Sequence, residues 1–158
     1  MISFRLDGYK FNFRVGCIII SSDNRVLLNT DDNKDFWILP GGRVLSGEDT
    51  KTAINREIKE ELGLEIYNEN IKVTMESFFR FRGQDYHELQ YVYTAKLKTK
   101  FIEYYTYKFC GHENQKFKWF KLEELENIRF LPAPLLECVK ESLKGDKQIK
   151  HFTYKEQI

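Results

Sequence analysis

The sequence has little cysteine: three residues among 158. Cys17, Cys110 and Cys138 are odd in number and widely spaced, with no CxxC pair and no Cys/His cluster. That pattern argues against both a disulfide framework and a zinc site, and it fits a reducing, cytoplasmic setting. Charge of one sign is also missing, since 25 Lys plus Arg against 24 Asp plus Glu leave a net charge of +1. No general field draws the chain to nucleic acid or to a membrane, so neither is expected as a partner and any polyanion must be held locally. Long hydrophobic runs are absent too. The longest, residues 17–20, is far too short to cross a bilayer, and the N-terminal MISFRLDGYKFNFRVG carries charges throughout. There is no internal repeat, low-complexity tract, linker or helix-turn-helix signature. Splitting the chain in two would leave each half with a marginal core, so one domain spanning 1–158 is expected.

What the sequence does have is concentrated in residues 42–64, GRVLSGEDTKTAINREIKEELGL. Residues 50–62 are good helix formers without Gly or Pro; residues 46–49 offer capping side chains, and Gly63 sits where a left-handed C-terminal cap belongs. The spacing predicts a helix over 50–62. On it Ile54, Ile58 and Leu62 form an apolar stripe, while Glu57, Glu60 and Glu61 share an adjoining face. Like charges at those spacings oppose the helix by roughly 0.2 to 0.5 kcal/mol per pair. A divalent cation is the natural compensator, because hard ions such as Mg2+ take carboxylate oxygens together with substrate phosphates. The plainer reading is a solvated acidic face with Arg56 as a surface partner. Against it stand the Gly41-Gly42 pair, Glu48 and Arg56, none of which a solvated helix requires.

Along the rest of the chain, alternation and turn residues predict a strand over 11–21, a turn at 22–24 and a return strand over 25–29, the pair making a hairpin. A short buried strand is expected over 36–39, ended by Pro40-Gly41-Gly42. Residues 71–82 alternate, with Val73, Met75, Phe79 and Phe81 on one side and Lys72, Thr74, Glu76, Arg80 and Arg82 on the other. After a turn at 83–85 the chain returns over 86–97 as a second hairpin. Residues 98–115 read as loop, 116–121 as strand, 122–127 as a short helix, and 134–144 as an amphipathic helix with Pro134 at its start and Gly145 past its end. The tail from Asp146 has two readings, an edge strand or a loose end.

Residue by residue, 42–64 reads Gly, five residues, Glu48, seven residues, Arg56-Glu57-Ile58, one residue, Glu60-Glu61, one residue, Gly63-Leu64. In this it resembles the box of the Nudix (MutT-like) hydrolase family at every defined position. The resemblance implies an α/β fold, an α/β/α sandwich around a mixed, partly antiparallel sheet. It implies hydrolysis of a nucleoside diphosphate linked to another group, by water attack on phosphorus with Mg2+ or Mn2+. By the same resemblance Glu57, Glu60, Glu61 and the carbonyl of Gly42 are the metal ligands, Arg56 orients the carboxylates and Glu48 supports them. The general base is expected at Glu61, Glu113 or Glu88. Trp37, Phe79, Phe81, Tyr86 and Tyr91 are the aromatics able to stack on a base, although Trp37 is expected to be chiefly structural. Arg43, Arg80 and Arg82 are expected to bind substrate phosphate or ribose. A small nucleotide is the expected partner; a homodimer stays open. Two rival functions remain: a sensor of the same fold without catalysis, and a hydrolase of 5′-phosphorylated or capped RNA, which the balanced charge disfavours.

Overall fold

A computed structural model describes residues 1–98, 115–156 and the backbone of 105–106. Its strands are β1 (Ser3–Leu6), β2 (Tyr9–Ile19), β3 (Val26–Asp31), β4 (Gly41–Arg43), β5 (Ile66–Phe81), β6 (Gln84–Leu97), β7 (Tyr105–Thr106), β8 (Gln115–Phe120) and β9 (Lys150–Lys155). The helices are α1 (Thr50–Leu62), α2 (Pro134–Leu143) and a 3-10 turn at Leu122–Asn127. One sheet runs β1-β2-β6-β5-β9, with β4 continuing the β1 edge beside β2, and a smaller one runs β3-β8-β7. In the larger sheet β2 lies parallel to β6 and β9 parallel to β5, while the other pairs are antiparallel, so the sheet is mixed.

The helices cover opposite faces. Ala53, Ile54, Ile58 and Leu62 of α1 pack with Cys17, Ile19 and Ala95. Leu135, Cys138, Val139 and Leu143 of α2 pack with Ile18, Val73, Met75 and Val92. Neighbouring residues of β2 thus serve opposite layers, as strand alternation requires, and the architecture is the expected α/β/α sandwich. Cys17 and Cys138 are buried free thiols; Cys110 lies outside the described residues. Among the described residues no helix is long and apolar enough to cross a membrane.

Three local expectations change. The turn at 22–24 does form, closed by a Ser21 amide to Arg25 carbonyl bond of 2.9 Å. Beyond it, however, β2 joins β6 and β3 joins β8, so the two strands belong to different sheets. The physical reason is burial on both faces: Cys17–Ile19 and Val26–Leu28 are fully buried, and strands so buried need cover from both sides, which a two-stranded hairpin does not supply. Residues 36–39 form no strand but two isolated bridges, Ile38 to Asn29 and Trp37 to Phe130. The alternation over 71–82 slips at a bulge between Ile71 and Val73. Lys72 is thereby turned inward to 1% exposure, where its ammonium donates to the Asp146 carbonyl at 3.1 Å.

The second hairpin forms through the two-residue turn Arg82-Gly83, both at positive φ (49° and 77°), the geometry that matches strand twist. The tail takes the edge-strand reading as β9. β1 is an element the sequence reading missed, a short strand with one basic and two large apolar residues in four positions.

Candidate active site

Helix α1 starts where its capping chemistry dictates. Asp49 has extended backbone and its carboxylate accepts from the Thr52 amide at 2.8 Å, while Gly63 closes the helix at φ 65°. With the ends fixed, the buried stripe of Ile54, Ile58 and Leu62 sets the rotation of the helix. Arg56, Glu57, Glu60 and Glu61 then turn toward the edge of the large sheet, where β4 runs.

Arg56 is the centre of this side-chain array. Its Nε and Nη2 donate to the two oxygens of Glu48 at 2.8 and 3.0 Å, a bidentate pairing. Nη1 donates to Glu57 at 2.9 Å and Glu60 at 3.2 Å, and Nη2 also donates to the Arg43 carbonyl at 3.0 Å. A planar guanidinium suits such a fan, because its donors point in fixed directions. The hydrogen bonds to Glu48 and then to Glu57 hold Arg56 firmly protonated against the opposing effect of burial. The Arg56 bond in turn pulls the Glu48 carboxyl below its ordinary range, helped by the Leu45 amide. Glu48 therefore anchors the arginine rather than facing outward.

The carboxylates differ in setting. Glu57 lies against Gly42: a Cβ built there would sit 2.3 Å from the carboxylate, so only glycine leaves room. Glu60 is 57% exposed. Glu61 accepts from the Gly41 amide at 3.0 Å and from the Gln115 side chain at 3.3 Å. Burial pushes its carboxyl up from 4.5 to about 7, against the opposing pull of those two bonds, with the Glu57 charge adding to the rise. Among the described residues no three side chains form a ready-made metal cage. Two of the acids share Arg56, and Glu61 faces the Gly41 amide. The oxygens left over, beside the small cradle at Gly42, are hard donors of the kind Mg2+ and Mn2+ take, and the donor set fits such an ion completed by substrate phosphates.

The other expected residues separate. Arg43 is on β4 with its backbone in the Arg56 fan. Arg80 does not reach the site: it lies at the far end of β5 on the α1 face, bonded to Asp85 at 3.5 Å. Arg82 is in the β5–β6 turn with its guanidinium 5.0 Å from the Phe81 ring. Glu88 is held by Asn12 at 2.6 Å, with Arg14 at 3.9 Å. Glu113 lies outside the described residues. Tyr91 packs edge-on to Phe13 beside the α1 core. Trp37 packs edge-on to Phe120 at 4.8 Å and its backbone bonds Arg129 and Leu131, so its place is structural. The sequence reading missed Gln115, Arg14 and Asn12. The last two were visible as polar residues alternating with Phe11, Phe13 and Val15 in an otherwise apolar strand.

A helix of carboxylates ordered by one arginine, beside a glycine-rich edge strand in an α/β/α sandwich, is the apparatus of an enzyme that hydrolyses phosphorus-containing anhydrides. The model of the NUDIX domain matches residues 10–139, most of the chain, and the chain belongs to that family. It is 28% identical over 121 residues to the Nudix hydrolase YvcI of Bacillus subtilis, covering 76% of this chain and 73% of that one. It is also 35% identical over 81 residues to the RNA pyrophosphohydrolase of Ruthia magnifica subsp. Calyptogena magnifica, a match covering 51% of this chain and 44% of that relative. The crystal structure of a MutT protein from Bacillus halodurans superposes with a TM-score of 0.73 at 19% identity over 91% of this chain and 89% of that one, a likeness of fold.

Proposed function

We propose that residues 1–158 act as one domain, a Mg2+- or Mn2+-dependent pyrophosphohydrolase that cleaves a nucleoside diphosphate linked to a further group. The observation that carries this reading is the acidic array on α1: one guanidinium, Arg56, holds Glu48, Glu57 and Glu60, while Glu61 sits beside the Gly41 amide. A positioned carboxylate of that array can take a proton from water as general base. Glu57, Glu60 and Glu61, with the Gly42 carbonyl, are the ligands for the ion, and the ion when bound neutralises the diphosphate and acidifies water. Arg56 keeps Glu57 and Glu60 in place and Glu48 keeps Arg56 in place. Arg43 meets substrate phosphate from β4. Water oxygen bonds to one phosphorus, its proton passes to Glu61, and the bridging oxygen leaves on the other phosphate. Glu88 lies apart from this array, its Oε2 accepting from Asn12 with Arg14 at 3.9 Å.

A second reading, the 5′ end of RNA as substrate, is favoured by the relative named RNA pyrophosphohydrolase. The test of the first is a panel of ADP-ribose, nucleotide sugars, dinucleoside polyphosphates and nucleoside triphosphates, assayed with each ion and with chelator. Turnover of at least one member is expected, abolished by chelator and restored by the ion. Undiminished turnover in excess chelator overturns the metal role.

A further inference from the structure

The large sheet's second face, the one α2 partly covers, carries more than apolar core. Strand register puts Arg5, Lys10, Tyr86 and Phe79 in one row across β1, β2, β6 and β5. The row toward the active site holds Ser3, Asn12, Glu88 and Ser77, and the next holds Arg43, Arg14, Gln90 and Met75. The row beyond Tyr86 ends the strip with Gln84 and Phe81. In these rows from β1 to β5, counted over the described residues, Glu88 is the one carboxylate, and Asn12 and Arg14 engage it. Arg5, Lys10, Arg14 and Arg43 are all cations. The aromatics cluster: Phe79 and Tyr86 stack face to face at 5.0 Å with their planes 1° apart, Lys10 stands 5.8 Å over the Tyr86 ring, and Phe81 is 40% exposed beside Arg82.

The strip starts at the active site. Gly41 and Arg43 of β4 pair with Gly16 and Arg14 of β2; Gly41 donates to Glu61, and the Arg43 carbonyl accepts from Arg56. From the Arg14 row to the Tyr86 row is four residues, about 13 Å of strand. Cations on β1, β2 and β4 beside rings on β6 and β5, on a strip leading away from a phosphate-cleaving centre, suit a single-stranded polynucleotide. The charges follow its backbone and the rings accept bases of any identity. An acidic protein segment would use the charges alone and an apolar one the rings alone.

We propose that this strip is a binding platform for the unpaired 5′ segment of an RNA, with the polyphosphate end at Glu57 and Glu61 and the following bases on Phe79 and Phe81. The proposal rests on the pyrophosphohydrolase reading for its orientation, but binding and cleavage are separable. 5′-Triphosphorylated RNAs, from a mononucleotide to about six nucleotides, are bound in chelator by fluorescence anisotropy at several salt concentrations and hydrolysed in Mn2+. Affinity is expected to rise with length, to fall when the 5′ end is a blunt duplex, and to drop about tenfold in Phe79→Ala and in Phe81→Ala. Lys10→Gln, which leaves the core untouched, is expected to reduce the salt slope by about 0.7. In Mn2+ the ratio of oligonucleotide to mononucleotide turnover falls in the same variants. Length-independent affinity, or a salt slope unchanged in Lys10→Gln, overturns the platform even if mononucleotides are cleaved. Length-dependent binding without cleavage of any RNA or nucleotide supports the platform and overturns the pyrophosphohydrolase reading.

Discussion

Glu61 shows how one residue acquires a property its position in the sequence does not display. As the last acid of α1 it differs from Glu60 by one step, yet the helix rotation puts Glu60 in solvent and Glu61 against Gly41 and Gln115. Burial raises its carboxyl from 4.5 to about 7, so the fold favours the protonated form. The sign follows by linkage: below about pH 4.5 folded and unfolded states are both protonated there, and between 4.5 and 7 only the folded state keeps the proton. Stability of the metal-free protein should therefore fall as pH rises through that window, by about 3 kcal/mol from this group. Urea unfolding of wild type and Glu61→Gln in chelator reads it: the variant's advantage should grow from pH 4.5 to 8. A difference that stays constant would mean that Glu61 is not held in a desolvated setting.

At the scale of elements, α1 was legible to the residue and the first hairpin was not. Capping side chain, apolar stripe and terminal glycine are all local in the sequence, and together they delimit Thr50–Leu62. Strand partners are not local. Residues 11–29 show two strands and a turn, but nothing there records that β6 and β8 supply each strand's partner. The contact between α1 and β4 lies between these cases: the Gly-Gly pair was visible, its purpose was not. Gly42 is glycine because the Glu57 carboxylate occupies the space of a Cβ, 2.3 Å from where one would stand. Gly42→Ala should displace either the helix or the carboxylate. Thermal melting and steady-state kinetics should show a loss of about 1 to 3 kcal/mol in stability together with a fall in kcat. Unchanged kinetics would place Glu57 outside the chemistry.

For the whole molecule, composition was the least informative signal. A net charge of +1 spoke against a nucleic-acid partner, yet the fold sorts its charges. Lys10 and Arg14 face one side of β2 because they alternate with Phe11, Phe13 and Val15, and Arg43 joins them only through β4 pairing. The candidate site was legible where one helix brings its side chains together, in Arg56, Glu57, Glu60 and Glu61. It was illegible where distant strands complete it, at Gln115 and Arg14. Arg80 lies apart from it, paired with Asp85, because its side of the sheet depends on register. The central claim is that the acids of α1 hold a divalent ion for cleavage of a pyrophosphate. Its most direct test is the rise in melting temperature on adding Mn2+, measured with turnover in Glu57→Gln, Glu60→Gln and Glu61→Gln, which preserve size and helix propensity. A shrunken Mn2+-induced rise and a steep loss of turnover in each variant, with the fold intact, is the result predicted. Wild-type turnover and an undiminished rise in all three would contradict the account.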